Sequence, residues 1–236
     1  MEQKKESIMK KEKYKFLLDL IFLLIAFSTS WYFKSYLPIG FQGALVIVTT
    51  SLVAILIIKK RKLSFGEIGL NKITINNSLF IEVIKVSILI FLVQALGLLV
   101  IGFLLGRPEA GSAINNQPET LIGFLLDIVF NVWLVTAIGE EFIFRGIILN
   151  RLCALFNNEN NKYTIYLVSG IQAIWFGLAH QSQGLSGILI TGFIGFALGV
   201  YILKFSKFGL WPLIIAHGLI DTIVLTLSFY SSNPIF

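Results

Sequence analysis

Seven apolar runs, each at least about as long as the roughly 20 residues a helix needs to cross a bilayer, constrain this chain more than any other feature. They fall at 16–33, 41–58, 79–105, 121–152, 163–180, 186–203 and 210–229. Backbone N–H and C=O groups inside lipid must be satisfied within their own segment, so runs of this length predict helices packed as a bundle. A hydrophobic share of 56% against 14% charged residues excludes a water-soluble globule. One cysteine, Cys153, excludes both an intramolecular disulfide framework and a cysteine-rich metal site. The expected fold is all-α, a polytopic transmembrane helical bundle of about seven to eight spans.

The formal charge of +6 forms no stripe on a polar fold, which argues against a nucleic-acid partner. The basic residues sit instead at the ends of the apolar runs and read as membrane topology. Lys4, Lys5, Lys10, Lys11, Lys13 and Lys15 precede the first run, and Lys59, Lys60, Arg61, Lys62 and Lys72 follow the second. Arg145, Arg151 and Lys162 accompany the end of the fourth run, and Lys204 and Lys207 follow the sixth. The opposite connections hold Lys34 and Arg107, while Lys85 lies inside the third run. This asymmetry predicts a cytoplasmic amino terminus in a multi-pass plasma-membrane protein, and the abundance of Asn and Lys suits a bacterial source. Basic residues ahead of the first run imitate a signal peptide, but Trp31, Tyr32 and Tyr36 read as the interfacial belt of a retained span.

The chain divides into a basic segment at 1–15, amino-terminal spans at 16–120, a membrane core at 121–229 and a tail at 230–236. Residues 64–79 are too polar to span and too apolar for a simple loop, so they read either as an interfacial segment or as a plain loop. Residues 106–120, with Pro108, Gly111 and Pro118, form an outer loop by the same topology.

Costly groups concentrate in the core, where an ionisable side chain at the bilayer centre costs about 2.5–3.5 kcal/mol. The densest cluster is Gly139-Glu140-Glu141-Phe142-Ile143-Phe144-Arg145-Gly146. Neighbouring carboxylates on a helix point about 100° apart, so the two glutamates have different tasks. Glu141 and Arg145 stand four apart with the acid first, the favourable order for an ion pair. Glu140 is left as the unpaired acid, which suits a general base acting on water. His180 closes the fifth run with Phe176 one turn before it, and His217 and Asp221 are four apart in the seventh. Taken singly, a histidine at a span end reads as interfacial and a His–Asp pair as a structural hydrogen bond; taken together with the glutamates they read as a site. Asp127 and Asn131 read as helix–helix hydrogen-bonding groups, Asp19 and Glu82 as snorkelling acids near span ends, and Gly187, Gly192, Gly195 and Gly199 as a close-packing face.

Three motifs in this order on successive apolar runs, E-E-x-x-x-R at Glu140–Arg145, F-x-x-x-H at Phe176–His180 and H-x-x-x-D at His217–Asp221, resemble the CPBP family, the CAAX protease and bacteriocin-processing (Abi) intramembrane proteases. The resemblance covers roughly 121–228 and implies an intramembrane endopeptidase acting on a membrane-associated peptide or protein. In that family's terms Glu140 with His180 activates water, and His217 with Asp221 assists the oxyanion. Glu141, Arg145 and Phe176 are supporting residues. The prenyl-protein processing branch usually has Asn where this chain has Asp221. An ionised aspartate can only accept hydrogen bonds, so Asp221 aids an oxyanion only when protonated and otherwise orients His217 or binds a cation.

The family has been described both as metalloproteases and as metal-independent glutamate proteases. For this chain no cofactor is expected, with zinc as the alternative, held by His180, His217 and Asp221; there is no H-E-x-x-H spacing. Straight spans pose a difficulty, because at 1.5 Å per residue Glu140 lies about 18 Å from Leu152, His180 about 25 Å from Tyr163 and His217 about 10 Å from Leu210. Arg151 and Lys162 near the end of the Glu140 helix predict a site that opens toward the cytoplasm. The competing function is a non-proteolytic bacteriocin-immunity or phage-exclusion membrane protein. A transporter would show paired broken helices or an inverted repeat, and the hydropathy shows neither.

Overall fold

A computed structural model describes residues 2–108, 118, 120–156 and 161–232. Gly111 of the expected outer loop and residues 233–236 of the expected tail lie outside the described residues. All regular structure among the described residues is helical. In chain order it comprises α1 (Glu2–Phe33), α2 (Ile39–Arg61), α3 (Asn77–Leu105), α4 (Leu121–Asp127), a π-helical segment (Ile128–Ile148), α5 (Leu149–Phe156), α6 (Lys162–Leu178), α7 (Gly184–Lys204) and α8 (Trp211–Ser232). Short 3₁₀ turns at Lys34–Tyr36, Gly66–Ile68 and Gln181–Gln183 join some of them. The polytopic helical bundle expected from the apolar runs is the fold observed.

Six helical stretches among the described residues are long and apolar enough to cross a membrane: Glu12–Tyr36, Phe41–Arg61, Asn77–Leu105, Leu121–Phe156, Gln181–Lys204 and Trp211–Ser231. The fifth apolar run also folds as a helix, α6, but its 17 residues stop at Leu178, so His180 stands beyond the helix end. The outer surface is that of a lipid-solvated protein. Along α3, Phe80, Ile84, Phe91, Leu99 and Phe103 are exposed, Phe103 by 86%, a face that water would not tolerate.

Side-chain caps start three of the helices. Asn76 Oδ1 accepts from Leu79 N–H, Thr120 Oγ1 from Gly123 N–H and Asn161 Oδ1 from Tyr163 N–H, each supplying an acceptor for an orphan donor. The α6–α7 hairpin packs closely through glycines: a Cβ on Gly177 would stand 2.6 Å from the Ile188 carbonyl oxygen, one on Gly195 2.9 Å from Phe176, and one on Gly199 3.1 Å from Ser169. Gly192 faces Gly177 across the same seam, whereas Gly187 lies against Gln183 of its own turn.

Four sequence-based expectations are corrected. Asp19 does not snorkel: it is buried and accepts from Arg61 Nε at 3.0 Å and Arg61 Nη2 at 2.7 Å, with Arg151 Nη1 at 3.8 Å. A carboxylate that deep is compensated across helices, and Arg151, expected in a connection, is buried as its second partner. Glu82 is likewise buried and accepts from the backbone N–H of Lys207. Asn131 donates to Asp127 within one helix turn, so this pair satisfies itself instead of bridging helices.

Residues 64–79 are neither a free amphipathic helix nor a loose loop. Ile68 is buried, Gly69 (φ +85°) turns its carbonyl to the Leu210 N–H at 2.8 Å, and Trp211 Nε1–H donates to Asn71 O at 2.7 Å. Asn150 Nδ2–H donates to Glu67 O. The Ser64 backbone N–H and hydroxyl both donate to the Glu67 carboxylate and hold it below the usual carboxylate range. The segment thus pins the starts of α3 and α8 to the end of the π-helical rod.

Candidate active site

The π segment turns its two glutamates toward different neighbours. Glu141 and Arg145 are both fully buried, and Arg145 Nη1–H donates to Glu141 Oε1 at 3.2 Å. From α8, His217 Nδ1–H donates to the same oxygen at 3.0 Å. One turn further along α8, Asp221 Oδ2 lies 3.4 Å from His217 Nε2. The imidazole therefore stands between two carboxylates. Because Nδ1–H is given to Glu141, a hydrogen bond from Nε2 to an ionised Asp221 needs Nε2 to carry a proton as well.

Phe176 connects this cluster to α6. Its ring lies 4.1 Å from the Arg145 guanidinium and 4.8 Å from the His180 ring, and Phe144 meets it edge-on at 4.9 Å. Arg145 Nε and Nη2 have no hydrogen-bond partner among the described residues, so the aromatic face takes the place of acceptors. His180 follows the last turn of α6, where its Nδ1–H donates to the Phe176 carbonyl at 2.8 Å. That bond fixes the tautomer and leaves Nε2 as the basic nitrogen of the neutral ring.

Glu140 and His180 line one cavity, together with Trp31 from the end of α1, Lys34 from the 3₁₀ turn after it, and Gln42 and Val46 from the first half of α2. Glu140 Oε2 is buried and accepts no hydrogen bond among the described residues. Lys34 Nζ lies 3.2 Å over the Trp31 ring. The approach of α2 depends on Gly139, where a Cβ would collide with the Ile47 side chain. Glu140, Glu141, Arg145, Phe176, His180, His217 and Asp221 thus come together. Trp31 and Lys34 read from the sequence only as topology and Gln42 carries no signal there; nothing in their spacing distinguishes a cavity wall from a span end.

The depth difficulty has a structural answer. Leu210, just ahead of α8, lies at the level of Gly146, since a Cβ on Gly146 would stand 3.2 Å from Leu210 Cδ1 and 3.3 Å from Ile68 O. The 64–79 segment therefore recesses the start of α8, and His217 reaches Glu141 after less than two turns. His180 reaches the site from the other end, at the tip of the α6–α7 hairpin.

The cavity lies toward the other end of the bundle from the one that Arg151 and Lys162 mark. Ile47, beside Gly139, lies about 12 Å from the Ile39 end of α2 and about 21 Å from the Arg61 end at 1.5 Å per residue. With Lys34 and Gln42 on its wall, the cavity adjoins the end of the bundle where α1 turns into α2, opposite Arg61 and Arg151.

Among the described residues no three His, Cys, Asp or Glu side chains are grouped to hold a metal ion. His217 Nδ1 faces Glu141 and His217 Nε2 faces Asp221, while His180 Nδ1 faces the Phe176 carbonyl.

Residues 122–223 match the family described as Type II CAAX prenyl endopeptidase Rce1-like. The matched stretch runs from α4 into α8 and contains every motif residue above. Comparison with curated proteins and with solved structures gives no match.

Proposed function

We propose, for a chain whose residues 122–223 match the family described as Type II CAAX prenyl endopeptidase Rce1-like, an intramembrane endopeptidase that hydrolyses a peptide bond of a membrane-associated peptide or protein by direct attack of water. The observation that carries this reading is a buried, unpaired carboxylate oxygen on Glu140 in the cavity shared with His180. A water between Glu140 and the His180 Nε2 loses its proton to the Glu140 carboxylate as its oxygen adds to the scissile carbonyl carbon. The C–N bond then breaks and that proton passes to the leaving amine. His217 offers Nε2–H to the oxyanion; its contact with Asp221 is long enough at 3.4 Å to be exchanged for a shorter one. Asp221 and Glu141 orient the ring.

His180→Gln tests the reading, because it keeps a polar side chain and removes the basic nitrogen. Mass spectrometry of membrane peptides from cells producing the parent or the variant should show products made by the parent alone. Identical peptide sets would favour the non-proteolytic immunity or exclusion function.

The cavity's position implies that substrate arrives from the face where α1 turns into α2, which is extracytoplasmic if the basic connections are inside. Cys153 is buried and reports nothing on topology. Cysteines at two exposed positions do. An impermeant maleimide should label Ser35→Cys in intact cells and Lys72→Cys only after the cells are opened. The reverse pattern would place the cavity on the cytoplasmic face.

A further inference from the structure

A second cavity lies at the opposite end of the bundle, between the start of α3 and the end of α7. Its polar wall consists of Ser78, Glu82, Lys85, Tyr201 and Lys207, and Ile81 and Phe205 flank it. Ile81 and Phe205 are exposed by 52% and 60%, on surface that faces lipid.

Its charges do not balance. Glu82, the acid on the cavity wall, is buried and engaged by the Lys207 backbone N–H at 3.1 Å and the Ser206 hydroxyl at 3.4 Å. Neither the Lys85 nor the Lys207 ammonium is in any of the ion pairs among the described residues. Lys85 is also exposed on a membrane-spanning helix, about 12 Å along α3 from its start, where an uncompensated ammonium is costly. Two lysines against one glutamate leave a single positive charge, which one phosphodiester anion neutralises. Basic pockets between transmembrane helices at the membrane surface hold anionic headgroups in this way.

We propose that this cavity binds the headgroup of an anionic phospholipid, its phosphate between Lys85 and Lys207 and its acyl chains along Ile81 and Phe205. The Tyr201 and Ser78 hydroxyls supply neutral donors to the phosphate oxygens. The site stands apart from the Glu140 cavity, and the inference is independent of the hydrolytic reading.

The test uses the purified full chain in detergent, titrated with short-chain phosphatidylglycerol, short-chain phosphatidylcholine or inorganic phosphate, with thermal unfolding as the readout. Phosphatidylglycerol should raise the midpoint well above either of the others. Lys85→Gln/Lys207→Gln, which keeps most of each stem, should weaken that response about tenfold or more in lipid concentration, whereas Lys85→Arg/Lys207→Arg should retain it. Should the double glutamine variant fail to fold, the single Lys85→Gln variant carries the comparison, with a smaller weakening expected. An equal response to phosphatidylcholine would mean that the tails alone bind, and an equal response to inorganic phosphate would mean a free-anion site; either overturns the proposal. So does a phosphatidylglycerol response that neutral side chains leave unchanged.

Discussion

Glu140→Gln should stop hydrolysis while leaving the thermal unfolding of the protein where it was. The amide matches the carboxylate in shape, and the buried Glu140 Oε2 accepts no hydrogen bond among the described residues that the substitution could break. What disappears is the ability to take a proton from water. Loss of a positioned general base lowers turnover on the order of a hundredfold or more. Turnover of a peptide substrate and unfolding in detergent, measured on the same preparation, separate the two effects. Full activity in a folded Glu140→Gln protein would remove Glu140 from the mechanism.

Arg145→Ala has the opposite signature, a loss of stability first. The guanidinium is fully buried, donates to Glu141 and lies against the Phe176 ring. Its removal strands the Glu141 carboxylate in the interior, and breaking one side of a buried pair costs about 3–5 kcal/mol. Glu140→Ala removes no pair and should cost much less. Arg145→Lys keeps the charge without the planar face and should fall between them. Thermal unfolding of the three variants gives the order directly; if Glu140→Ala proves the more damaging, the charge of Arg145 is compensated by water and not by Glu141.

These two substitutions show how unevenly the site could be read in the sequence. The Glu141–Arg145 contact follows from helical spacing alone, because both residues sit on one face of one segment. The same holds for His217 with Asp221 and for Asn131 with Asp127, although the last was expected to reach another helix. Contacts between distant segments left no such trace. Asp19 and Arg61 are separated by most of two spans, and only their contact in the fold shows that the acid near the start of the first apolar run belongs to a structural pair. Lys34 and Gln42 carried no sign that they wall the cavity of Glu140 and His180.

The sequence by itself determined that the chain forms a bundle of membrane helices and which residues carry the costly charges. Hydrocarbon demands long apolar segments with internally satisfied backbones, and any charge placed in them stands out. Tertiary structure alone decided which charges on different segments meet, at what depth, and toward which end of the bundle the cavity lies. Lipid and apolar side chains are nearly equivalent surroundings, so hydropathy marks a segment as membrane-embedded without naming its neighbour. Neighbours are set by shape. Gly139 admits α2 beside Glu140, Gly177 and Gly192 close the hairpin that carries His180, and the Gly69–Leu210 hydrogen bond recesses α8 so that His217 meets Glu141.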